Sequence, residues 1–199
     1  MKNIVFGLIA LALTVVGQAA AEGLTTDMAE KFAASLPAMT EIAKGMKERG
    51  VEDPFDDDEA PIVDGEFKPY SAAMAKLKTD HPKEHNKIGA AVKKHGFKSA
   101  MDWAVAGDAT IAAYMARMIP PGAAEMMKAM TPQMLDMMPP ETRVQYEQSK
   151  LMMAAIAKVS QADIAAVEPA VPALEAAFTA IGSDEGVFGQ MPDAMPGGR

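Results

Sequence analysis

The chain has no cysteine. That excludes disulfides, thiolate metal sites, thiol catalysis and a cysteine-linked lipid anchor, so packing alone must hold the fold. Aromatic side chains are scarce, with one tryptophan, three tyrosines and seven phenylalanines among 199 residues. Basic residues are outnumbered, 19 against 27 acidic ones, for a formal net charge of −8. Phosphate binding needs a basic footprint, so nucleic acid is not expected as a partner, and an anionic membrane surface is disfavoured on the same ground. Enzyme signatures are missing as well. There is no G-x-S-x-G elbow, no P-loop and no dinucleotide fingerprint, and an enzyme of unknown class stands third among the functional readings.

What is present begins with a leader. Lys2 is the only charge before the apolar run Ile4–Val16, and Ala19-Ala20-Ala21 then supplies small residues ahead of Glu22. A charged start, a short apolar middle and an A-x-A cut make a secretory signal peptide over 1–21. The run falls short of the roughly 20 apolar residues of a spanning helix, so no stable membrane anchor is expected after cleavage near Ala21. The expected location is the periplasm or the medium.

The mature chain is helical in pattern nearly throughout. Alanine is abundant, with the highest helix propensity and little area to bury, which predicts closely spaced helices around a thin core. Met28, Phe32, Leu36, Met39, Ile42 and Met46 mark one helix face, capped by Thr26 or Asp27, stopped by Gly50 and kinked or split at Pro37. Residues 51–69 read as an acidic, proline-rich loop. Helices follow over about 71–79 and from Pro82 to the Lys93-Lys94-His95-Gly96 ending, where Phe97 can pack back on Val92. Ser99 with Asp102 opens a helix carrying Trp103, Ile111, Tyr114, Met115 and Met118, ended by Pro120-Pro121-Gly122. Short helices are expected over 123–130 and 132–138, then a longer one from Pro140 to about Val159. Ser160 with Asp163 starts another, Pro169 and Pro172 interrupt it, and a last helix carries Leu174, Phe178 and Ile181. The fold class is all-α: one irregular, proline-punctuated multi-helix bundle over 22–182, with 183–199 a disordered tail.

Methionine is the conspicuous excess, 18 in all. Met115, Met118, Met126, Met127, Met130, Met134, Met137 and Met138 crowd one stretch, and Met152 and Met153 follow. Three uses compete. Methionine fills gaps in a core otherwise made of alanine. Exposed, it re-packs around varied apolar partners, and Met115, Met118, Met127, Met137, Met152 and Met153 would line such a binding surface. As a soft thioether it selects Cu(I) or Ag(I), with Met126, Met130, Met134 and Met138 the candidate ligands and Cu(I) the alternative to no cofactor at all. The leading functional reading is an exported, non-catalytic module that binds an apolar peptide or protein segment. A periplasmic Cu(I) or Ag(I) binder is the alternative.

The remaining motifs read as structural. His81 precedes Pro82 and is biased out of the helix that carries His85, so the pair need not share a face. His95 suits a helix C-terminus. The acidic run Glu52–Glu59 fails the EF-hand spacing, because Ala60 stands where a ligand belongs. Trp103 is expected as a core anchor with its N–H satisfied locally. Gly107 marks either a close helix approach or a tolerated helix cost of about 1 kcal/mol.

Overall fold

A computed structural model describes residues 23–51, 62–120, 122 and 137–182. Helices dominate it, as the all-α reading requires. The expected helices over 123–130 and most of 132–138, the acidic run, the leader and the tail lie outside the described residues.

Helix α1 (Thr26–Glu48) is capped one residue earlier than expected. Thr25, not Thr26 or Asp27, holds the extended backbone an N-cap needs, and its Oγ1 accepts from the Met28 N–H at 3.2 Å. Asp27 is the second helical residue and pairs with Lys31 at 2.6 Å. The helix runs through Pro37 as one element rather than two. Hydroxyls on either side satisfy nearby carbonyls, Ser35 donating to Phe32 O at 2.6 Å and Thr40 to Leu36 O at 3.1 Å. At the far end Gly50 turns left-handed at φ 70°, Gly50 N–H donates to Lys47 O, and Val51 N–H to Met46 O. That is a Schellman closure, and it needs glycine because only glycine takes this φ without a Cβ penalty.

The stretch 51–69 is not all loop. It contains a small antiparallel hairpin, β1 (Ile62–Val63) and β2 (Glu66–Phe67), with Ile62 opposite Phe67. Asp64 and Gly65 form its two-residue turn, both at positive φ (55° and 72°), the geometry that Asp-Gly favours. Helix α2 (Pro69–Asp80) and helix α3 (Pro82–Lys93) each begin with proline at the first helical position. His81 lies between them and belongs to neither. α3 ends as its sequence predicts, in a second Schellman closure with Gly96 at φ 89° and Phe97 N–H donating to Val92 O at 3.2 Å.

Helix α4 (Ala100–Met118) starts at Ser99, whose Oγ accepts from Asp102 N–H at 3.0 Å. Helix α5 (Pro140–Ile156) stops short of the expected Val159, and helix α6 (Gln161–Val167) opens on the Ser160 cap. The proline interruption is a single 3₁₀ turn, Glu168–Ala170, before helix α7 (Val171–Gly182).

α4 is the hub: it packs on α1, α2, α3, α5 and α6. Its inner face is small, with Ala104, Ala106 and Ala113 fully buried, so neighbours approach closely. Phe32, Tyr70 and Trp103 meet over this face, with centroids 5.1 to 5.4 Å apart. The Trp103 N–H is satisfied across the core, not locally as expected. It donates to Ser35 Oγ at 2.7 Å, 68 residues away in sequence. Replacing Ser35 by alanine strands that buried donor, and urea denaturation should register a loss of about 1–3 kcal/mol.

Candidate functional site

Methionine does part of the core's work, with Met46 and Met74 inside it and Met28, Met39 and Met115 packed against it. Among the described residues only Met46 and Met74 are buried. Met115 is half-buried and packs on the core, which is the gap-filling role. Met152, Met153 and Met138 are half-buried, whereas Met118 is 55% exposed and Met137 87% exposed. Met126, Met127, Met130 and Met134 lie outside the described residues. Three of the four candidate sulfur ligands are therefore among them.

Met118 ends α4 and Met137 precedes α5, so two exposed methionines bracket the crowded stretch. From Met137 the exposed positions continue at helical steps: Pro140, Val144, Glu147, Leu151 and Ala154. Steps of three and four keep these residues on one side of α5. Val144 is 59% exposed and Leu151 55%. Ala155, one turn beyond Leu151 on that same side, and Ile156 are both buried in the last turn, and α5 rests on α4 and the hairpin. Lys158, just past the helix, donates to Gly65 O of the hairpin turn at 2.7 Å. The Val144–Leu151 stripe was not singled out in the sequence. Its signal is the seven-residue spacing of two large aliphatic side chains on a helix with polar residues between.

The buried carboxylates lie elsewhere. Asp108, from α4, reaches the start of α2, where Oδ1 accepts from Tyr70 N–H at 2.7 Å and Oδ2 from Ser71 N–H at 3.2 Å. Lys68 at the N-cap offers α2 no side-chain cap, so a carboxylate from another helix does that work. Burial outweighs those hydrogen bonds and the nearby Lys68 charge, and pushes Asp108 up to about 6. Burial, then the Asp108 charge, raises the Tyr70 phenol above its usual range. Asp108 was overlooked in the sequence, although it is the only charge between Trp103 and Ala116. Glu84, the other buried acid among the described residues, is held below the usual carboxylate range by Lys87 at 3.0 Å and by Arg49 at 2.9 Å. These contacts tie the end of α1 to the first turn of α3. Neither acid has a histidine among its bonded partners, and His85 and His95 are half-buried at separate ends of α3.

Among the described residues no group of three or more His, Asp or Glu side chains could hold a metal ion. Nor is any described helix long and apolar enough to cross a membrane. No family model matches the chain, and neither a curated protein nor a solved structure matches it. The function therefore rests on the chemistry of these surfaces alone.

Proposed function

We propose that this is an exported, non-catalytic interaction protein that takes an apolar peptide or protein segment on the outer side of α5 and the adjoining end of α4. The observation that carries the reading is the exposed stripe of Val144 and Leu151, continued by Met137, with Met118 at the end of the neighbouring helix. Large aliphatic side chains at this spacing are how a helix presents itself to an amphipathic partner, and thioethers let such a surface adapt to more than one sequence.

Export with cleavage near Ala21 is compatible with the contacts next to the cut, which a chain beginning at Glu22 keeps. Leu24, just beyond the proposed cut, is already buried, and its N–H donates to Asp163 Oδ1 at 2.7 Å. Asp163 is fixed in turn by Ser160 Oγ at 2.8 Å. The mass of protein recovered from the native compartment should correspond to a chain beginning at Glu22.

The binding surface is tested with a fluorescein-labelled amphipathic peptide of leucine and glutamine, followed by anisotropy. Val144→Ser with Leu151→Ser should weaken binding at least tenfold, since burying each aliphatic side chain is worth about 1.5–3 kcal/mol and tenfold is about 1.4. Both residues are exposed, so the thermal midpoint should stay within about 2 °C. Equal affinity of the variant and the parent would end the proposal.

A further inference from the structure

We propose a second docking site, separate from the α5 stripe: the corner joining α3 to α4 binds an acidic peptide segment that carries an apolar side chain. Lys93, Lys94 and Lys98 are exposed there and form no ion pair among the described residues. The Schellman turn that closes α3 holds the first two beside Gly96 and Phe97. Lys31 of α1 reaches the same turn, since a Cβ built on Gly96 would lie 3.3 Å from Lys31 Cε. Lys31 is already paired with Asp27. The other three ammonium groups form no ion pair with an acid among the described residues.

The helix dipole explains only part of this. Lys93 and Lys94 sit at the negative end of α3, where cations belong. Lys98 immediately precedes the Ser99 cap of α4, the positive end, where a cation is disfavoured. An anionic partner gives all three lysines the same role.

An apolar pair follows Lys98 along α4. Met101 and Val105 are one turn apart on α4 and are 37% and 46% exposed. Cations beside exposed apolar side chains suit a partner that brings a carboxylate and an aliphatic or aromatic group together. Asp27, Glu30 and Asp102 decide between a peptide and an anionic membrane. Asp27 and Glu30 lie in the exposed first turns of α1, and Asp102 in the first turn of α4. A flat anionic surface would press on those acids within a Debye length of about 8 Å, whereas a narrow peptide contacts the lysines and avoids them.

The probe is a fluorescein-labelled peptide of alternating glutamate and leucine, titrated with the mature protein. Binding should weaken severalfold on raising salt to about 0.5 M. Lys93→Gln, Lys94→Gln and Lys98→Gln together should lower affinity at least tenfold, and Met101→Ser with Val105→Ser about fivefold. The Val144→Ser, Leu151→Ser protein should bind this probe as the parent does, which separates the two surfaces. All the substituted side chains are exposed, and unchanged circular dichroism confirms that each variant folds. The proposal is overturned if the triple lysine variant binds as tightly as the parent. No binding by the parent overturns it equally, as does lysine-dependent capture of phosphatidylglycerol vesicles in place of the peptide.

Discussion

Phe32→Ala should cost the fold about 3–5 kcal/mol, the largest loss of any single truncation considered. Phe32 is wholly inaccessible and stands edge-on to Tyr70, with Trp103 packed against both rings. Removing its ring opens a cavity between α1, α2 and α4 that those small-faced helices cannot close without moving the backbone. Gly107 sharpens the test. A Cβ there would lie 2.5 Å from Phe32 Cε2 and 3.1 Å from Tyr70 Cγ. Helix propensity alone predicts that Gly107→Ala stabilises by about 1 kcal/mol. Overpacking in a core that cannot shift costs about 1–3 kcal/mol, so the net change should be a loss. In the Phe32→Ala background the added methyl enters the hole instead. The double variant should then be more stable than the sum of the singles by at least about 1 kcal/mol. Urea denaturation of the four proteins measures this cycle. A stabilising Gly107→Ala would show that the ring has room to move.

Stability should fall by about 3 kcal/mol as pH rises from about 4 to about 7, through Asp108 alone. In the folded chain Asp108 takes its proton at about 6, against an ordinary value of 3.8. Between those values the folded state holds more protons than the unfolded state, so the contribution is complete below 3.8 and lost above about 6. About two pH units at about 1.4 kcal/mol each set the size. Glu84 and Glu66 act in the opposite sense, because their neighbours lower them: Lys87 and Arg49 for Glu84, and Lys68 for Glu66. Their contribution is present above the ordinary glutamate value and lost on acidification below it. The measurement is therefore the difference between the parent and Asp108→Asn across that range. The asparagine oxygen still accepts from Tyr70 N–H, so the variant should lack the slope and be the more stable protein near neutrality. Asp108→Ala, which leaves both α2 amides unpaired, should lose about 1–3 kcal/mol. A flat difference curve would mean that Asp108 stays ionised at the base of α2.

Local signals were read well where one residue decides the backbone. Ser99, Ser160, Pro82, Gly50 and Gly96 all start or stop helices where the pattern predicts, because caps and left-handed turns depend on neighbouring residues only. The Asp64-Gly65 hairpin was just as local and was passed over, since its strands are two residues long and sit in a stretch dominated by prolines and acids. At Pro37 the expected split does not occur, because α1 is held as one helix by contacts with α3, α4, α6 and α7 that no local rule contains. The candidate surface was half legible. Methionine crowding pointed to the α4–α5 region, but Val144 and Leu151 were not singled out. A sequence shows which residues share a face, not whether another element covers it.

By itself, then, the sequence determined a thiol-free helical chain, the boundaries of its described helices to within a few residues, and an alanine-lined interior. Each follows from backbone propensity, and propensity acts over a few residues. Only the tertiary structure decided that Asp108 caps a helix 38 residues away, that Trp103 finds Ser35, and that α5 buries Ala155 and Ile156 while Val144 and Leu151 stay exposed. Those outcomes depend on which helices meet, and that is set by the packing of the whole chain.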